Sequence, residues 1–131
     1  MALPYLPHQG EILICDFDQV AQGAEMVKRR PVVVVSRHDR HRRQLCAVVP
    51  LSTMAPSPVE AWHHPLPHLQ VTGWTAKAPM WAKCDMLCTV SMVRLNKPYQ
   101  KTRQGRHWVT HVLDAADLQA VLNGVRAYLG L

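Results

Sequence analysis

The sequence predicts an α+β fold: several short strands forming a sheet or small barrel, closed by one C-terminal helix. Three observations carry that expectation. Proline and glycine divide much of the chain into apolar segments of strand length. One of these, Pro31 to Ser36, holds four successive valines without polar alternation, as a strand buried on both faces requires. The end of the chain repeats instead at the helical period.

A length of 131 residues suits a single domain, expected to span 1–131. Strands are expected over Glu11 to Phe17, over Pro31 to Ser36 as the central one, over Leu45 to Leu51, and over Met80 to Leu95 with a break inside. From Met54 to Pro79 the composition turns to Pro, His and Trp. That reads as a long irregular loop with one short strand near Leu69 to Thr72. Leu118, Val121, Leu122, Val125, Tyr128 and Leu129 then fall on one helix face. Asp114 is the expected N-cap, Asp117 lies in the first turn and Gly130 is the stop.

Fifteen Lys plus Arg against nine Asp plus Glu give a net charge of +6. Lys28, Arg29, Arg30, Arg37, Arg40, Arg42 and Arg43 cluster around a single acid, Asp39. Arg94, Lys97, Lys101, Arg103 and Arg106 occupy a stretch with no acid between Asp85 and Asp114. Solvated basic loops are one reading and phosphate binding the other; two clusters favour the second. No apolar run approaches the ~20 residues of a membrane span. The N-terminus lacks the basic-then-apolar pattern of a secretory signal, so a cytoplasmic location is expected.

Cys15, Cys46, Cys84 and Cys88 do not form a disulfide framework. In an extended segment Cys84 and Cys88 would stand about 13 Å apart, beyond bridging distance. His63, His64 and His68, or His107 and His111, offer nitrogen ligands, but no close Cys pair accompanies them. No metal and no cofactor are expected, and the cysteines read as small buried hydrophobes.

The ordered set Gly10-Glu11-Ile-Leu-Ile-Cys-Asp16-Phe17, Gly23-Ala24-Glu25 and Arg30-Pro31-Val-Val-Val-Val-Ser36 resembles the MazF/PemK family of toxin ribonucleases. Val48-Val49-Pro50-Leu51-Ser52-Thr53, Lys83-Cys84-Asp85, Thr89-Val90 and Arg94-Leu95 resemble its later segments, and the likeness covers roughly residues 8 to 129. Glu25-Met-Val-Lys-Arg-Arg-Pro31 is similar to PemK-like proteins of the YifN type. The resemblance implies an SH3-like, CcdB/MazF/PemK-type β-barrel with a C-terminal helix. It further implies a homodimer, a cognate antitoxin protein as partner, and metal-independent cleavage of single-stranded RNA.

Carried over residue by residue, the resemblance makes Arg30, Ser52 and Asp85 catalytic. Glu25, Lys28, Arg29, Thr53 and Lys83 become substrate-binding. The chemistry is compatible: such cleavage needs a cation for the phosphorane, an acceptor for the ribose 2′-OH proton and a donor for the leaving oxygen. Arg30 supplies a bidentate and permanently charged fork, suited to stabilising the transition state rather than to acting as a base. Pairing with Glu25 is its structural alternative. Ser52 stands where the family usually has Thr; a turn-forming hydroxyl is the alternative there, and Thr53 is the substitute. Asp85 and Lys83, read as one face of a strand, match an acid and a base whose family partner is a histidine, here replaced by Ala24. His38 is one replacement. Trp62, Trp74 and Trp81 offer base stacking, with core packing expected for at least two. A non-catalytic CcdB-like binding toxin and a degenerate RNA-binding module are the remaining readings.

Overall fold

The computed structural model describes residues 3–17, 29–40, 44–74 and 79–131. Its strands are β1 (Glu11–Asp16), β2 (Arg29–Val34), β3 (Leu45–Ser52), β4 (His63–Leu66), β5 (Met80–Lys83), β6 (Cys88–Ser91), β7 (Leu95–Asn96), β8 (Tyr99–Thr102), β9 (Gly105–Trp108) and β10 (His111–Val112). One helix, α1 (Ala115–Leu129), follows. The main sheet runs β10-β1-β2-β3-β5-β4, with β6 also paired to β3 and β7 to β1; β8 and β9 form a separate hairpin. All its pairings are antiparallel.

The valine run behaves as its composition dictates. β2 lies between β1 and β3, and Val32, Val33 and Val34 are fully buried. Alternation sends Val33 and Val35 to one core with Ile12, Ile14, Val49 and Leu51, under α1. Val32 and Val34 go to a second core with Leu13, Cys15, Val48, Val90, Met92 and Leu95. β6 and β7 curl the sheet around this second core. They are joined by the 3-10 turn Met92–Arg94 and do not pair with each other, so the expected barrel is approached without a closed ladder.

The helix matches its periodicity. Asp114 Oδ1 accepts from the Asp117 N–H at 2.8 Å, and Gly130 closes the C-terminus in the left-handed region at φ 76°. Val121 is fully buried, while Tyr128 and Leu129 at the end of the expected apolar face are exposed.

Other expectations are corrected. The short strand in the Pro/His/Trp region is β4 at His63–Leu66, which pairs with β5, not Leu69 to Thr72, where Val71 is buried in the helix-side core without belonging to a strand. The segment Met80 to Leu95 is three strands interrupted by the 3-10 turns Cys84–Met86 and Met92–Arg94. Hairpin β8–β9 and strand β10 were not foreseen: their residues are polar and mostly exposed and carry no apolar alternation.

Candidate active site

Arg30 lies within β2 rather than in a loop, opposite Cys15 of β1. Val32 faces Pro50 across β2–β3, and alternation from that pair puts Arg30 and Ser52 on the same face of their strands. Ser52 faces Trp81 of β5, and two residues along β5 Lys83 faces His63 of β4. Because opposite residues and alternate residues share a face, Arg30, Ser52, Trp81, Lys83 and His63 all project from the sheet surface opposite the helix.

Asp85 reaches this cluster by another route. Lys83 and Asp85 are not on one strand face, since the chain leaves β5 at Lys83 and enters the 3-10 turn Cys84–Met86. Cys84 causes the departure. Its side chain is fully buried, with Sγ 3.4 Å from the Val121 carbonyl oxygen of α1. Burial, with the Asp85 charge second, pushes this thiol up to about 11. Gly124 permits the approach: a Cβ there would lie 2.8 Å from Cys84 Sγ and 3.2 Å from the Trp62 carbonyl oxygen. The helix thus sets where the turn, and Asp85 on it, can sit.

The partner of Asp85 is His63, with Nε2 to Oδ1 at 3.5 Å. His63 Nδ1 accepts the Glu60 N–H at 3.0 Å, so the neutral ring carries its proton on Nε2, the nitrogen nearer Asp85. His38, the replacement the sequence suggested, instead lies against His8, with ring centroids 4.4 Å apart and the rings tilted by 45°. The sequence offered His63 only as a candidate metal ligand, because its place beside Asp85 depends on the β4–β5 register.

Two buried side-chain polar atoms among the described residues lack a hydrogen-bond partner: Arg30 Nε, and Asp85 Oδ1, whose 3.5 Å approach to His63 Nε2 is an ionic contact and not a hydrogen bond. Native proteins satisfy nearly all such atoms, so exceptions call for a functional explanation. Both fall on residues expected to be catalytic.

Ser52 Oγ accepts the Met54 N–H at 3.1 Å, forming a turn as its alternative reading anticipated. The hydroxyl proton is left to donate elsewhere. Thr53 beside it is exposed, and so is Arg29, which alternation sends to the other face of β2. Glu25, Lys28 and Ala24 lie outside the described residues. Trp62 and Trp74 pack on the helix-side core, leaving Trp81 beside Ser52 on the site face.

The histidines weighed as metal ligands are dispersed. His63 and His64 are consecutive on β4 and face opposite ways, and His64 Nε2 lies 3.3 Å from Asp117 Oδ1. His107 and His111 belong to different strands, with His111 Nε2 accepting the Thr72 N–H at 3.1 Å.

A guanidinium, a hydroxyl, an ammonium and a histidine-braced carboxylate on one face of a curled antiparallel sheet define a small α+β protein with a polar, cationic site. The chain belongs to the family of PemK-like, MazF-like toxins of type II toxin-antitoxin systems, matched over residues 8–129. Among solved structures it is similar to MazF from Deinococcus radiodurans, at 21% identity and TM-score 0.69, covering 97% of this chain and 99% of that one. The toxin MazF-mt6 of Mycobacterium tuberculosis is similar at 21% identity and TM-score 0.61, over 92% and 96% of the two chains. An endoribonuclease in complex with its cognate antitoxin, from a mycobacterial species, is similar at 16% identity and TM-score 0.63, over 95% and 96%. No curated protein matches the chain.

Proposed function

We propose that this chain is the toxin of a type II toxin-antitoxin pair, a single-domain endoribonuclease that cleaves single-stranded RNA without a metal. The observation that carries the reading is the coincidence of the two unsatisfied buried atoms with Arg30 and Asp85. Arg30 holds two phosphate oxygens and takes up the charge that develops on the phosphorane. The Ser52 hydroxyl donates to the same phosphate. Asp85, oriented by His63, accepts the ribose 2′-OH proton as the O2′–P bond forms. The P–O5′ bond breaks, and the leaving oxygen takes a proton from Lys83. The products are a 2′,3′-cyclic phosphate and a 5′-hydroxyl.

Family membership also supports a cognate antitoxin, a homodimer and a cytoplasmic site of action. No helix among the described residues is long and apolar enough to cross a membrane. A non-catalytic binding toxin is the second reading, favoured by the exposed apolar helix end at Tyr128, Leu129 and Leu131.

The test uses a long mixed-sequence RNA to map a cut, then an oligonucleotide spanning it. The RNA should be cut in excess EDTA, while the same strand with one 2′-deoxy residue 5′ to the cut should bind and stay whole. Cleavage of the deoxy strand would make water the nucleophile, and loss of activity in EDTA would require a metal. Salt-sensitive binding without any cleavage would favour the binding toxin.

A further inference from the structure

Arg29 points away from Arg30, and on its side of β2 it separates two adjoining clefts. One, of about 560 Å³, is lined by Asp16, Arg29, Ser91, Arg94, Asn96 and Arg106. The other, of about 610 Å³, has Arg29, Trp74, Tyr99, Gln100 and Lys101 in its wall, with Thr72 and Gly73. Both fall within the volume range of small-ligand sites.

The first cleft gathers three guanidiniums from three parts of the fold. Arg29 is opposite Asp16 across β1–β2. Arg94 comes from the turn before β7, and its Nη1 donates to the Asp16 carbonyl oxygen at 3.2 Å. Arg106 reaches in from hairpin β8–β9, its guanidinium 4.8 Å from the Tyr99 ring centroid and 5.9 Å from that of Trp108. The two rings are themselves in contact at 4.9 Å. They fix the arginine without neutralising it.

The hairpin is charged in a way its own stability disfavours. Lys101 and Arg106 are directly opposite in the β8–β9 register. Like charges so placed repel, residues 86–113 contain no acid to relieve them, and in the cleft the Asp16 carboxylate stands against the three guanidiniums of Arg29, Arg94 and Arg106. An anion between hairpin and sheet would remove that cost.

The hairpin's place over the sheet is set by close packing. Gly73, at φ +77°, lies so near the Tyr99 carbonyl oxygen that a Cβ would collide with it. The Val109 N–H also donates to the Pro98 carbonyl oxygen at 2.9 Å, closing the base of the hairpin.

We propose that these joined clefts bind single-stranded RNA next to the cut, with a phosphate among Arg29, Arg94 and Arg106 and the neighbouring base against Trp74 and Tyr99. The inference rests on the endoribonuclease reading and adds a second subsite, on the opposite face of β2 from Arg30. Arginine forks suit phosphate, and half-buried aromatic rings accept any base by stacking.

The experiment measures binding of a fluorescein-labelled RNA carrying one 2′-deoxy residue at the mapped cut, in short and extended lengths at several salt concentrations. Cleavage of the all-ribose strand by wild type and Arg30→Ala is followed in parallel. For wild type, extension at one end should tighten binding. Arg106→Ala and Arg94→Gln should each lose on the order of tenfold in affinity for the extended strand and lower the salt slope by about 0.7. Unchanged thermal unfolding of Arg106→Ala, whose side chain sits on the exposed hairpin, excludes misfolding as the cause. Wild-type affinity and slope in both variants would overturn the subsite while leaving Arg30-dependent cleavage intact. No RNA binding by wild type, with no cleavage, would overturn the endoribonuclease reading and the subsite together. Unaltered RNA binding with lost binding of a synthetic oligoglutamate peptide would assign the cleft to an acidic protein segment and overturn the proposal.

Discussion

Two parts of the molecule are docked through a glycine, and they are built from opposite materials. At the β4–β5 corner Gly124 lets α1 press on Cys84 and Trp62, and the neighbours Leu66, Ala82 and Val121 are almost wholly buried. At hairpin β8–β9 Gly73 lets the preceding loop press on Tyr99, but what surrounds it is aromatic, cationic and largely exposed. The corner has no room to adjust, which suits a carboxylate that must meet a 2′-OH within a fraction of an ångström. The hairpin is tethered at its base and open at its tip, which suits contacts that hold a chain without reacting with it. On the proposed function, chemistry belongs to the rigid part and grip to the exposed one.

That division is sharpest at Arg30. Arg30→Ala should reduce cleavage by about 1,000-fold, as loss of a transition-state donor does, while lowering RNA affinity only several-fold. Single-turnover kinetics alongside anisotropy titration separate the two. Equal losses in both would mean that the sheet face also serves as grip.

At the corner, Asp85→Asn should slow the chemical step by about 100-fold. His63→Ala should cost about tenfold in kcat with KM unchanged, because it acts through Asp85. His63→Gln keeps an N–H directed at the carboxylate and should recover part of that loss. A KM effect without a kcat effect would make His63 a substrate contact.

The glycines test the packing itself. Alanine in a helix interior gains about 1 kcal/mol over glycine, but at position 124 overpacking against Cys84 and the Trp62 carbonyl should outweigh it and leave a net loss of about 1–2 kcal/mol. Cleavage should fall with it as the Asp85 turn shifts. Gly73→Ala adds a left-handed backbone to its collision, so it should also destabilise, by about 2 kcal/mol. Its larger effect should be on RNA affinity. Denaturant melts and single-turnover rates of both variants decide whether the two docks serve different steps.

The smallest effect is alkaline. Burial raises Cys84 from 9.0 to about 11, and Cys15 and Cys46 move in the same direction. Above about pH 9 the unfolded chain gives up these protons while the folded chain keeps them. Stability is therefore full below pH 9 and is lost as pH climbs through about 11. Tm should decline over that window, and Cys84→Ala should decline less than wild type.

What could be read in advance follows the same contrast. The valine run and the helical period of α1 announce themselves, because burial on two faces or on one stripe imposes a pattern that solvent cannot blur. Ser52 is legible as a hydroxyl at a strand end, whereas Arg30, which precedes the expected valine strand, is legible only through the family resemblance. Asp85 was assigned to a strand because Lys83-Cys84-Asp85 alternates like one; the helix that pulls Cys84 inward lies more than thirty residues away in sequence. His63 and the three-arginine cleft depend on registers between strands whose own sequences are too polar to announce them.

Pro65 closes the main sheet at its β4 margin. β4 is the last strand on that side, and Pro65, opposite Trp81, has no N–H to offer a further strand. His64, held to Asp117 of α1, ties the same strand back to the helix. Strand-by-strand polymerisation is therefore blocked along this margin, which protects the chain there from fibril growth. Any assembly it enters must be built from side-chain surfaces instead of a shared backbone ladder at β4.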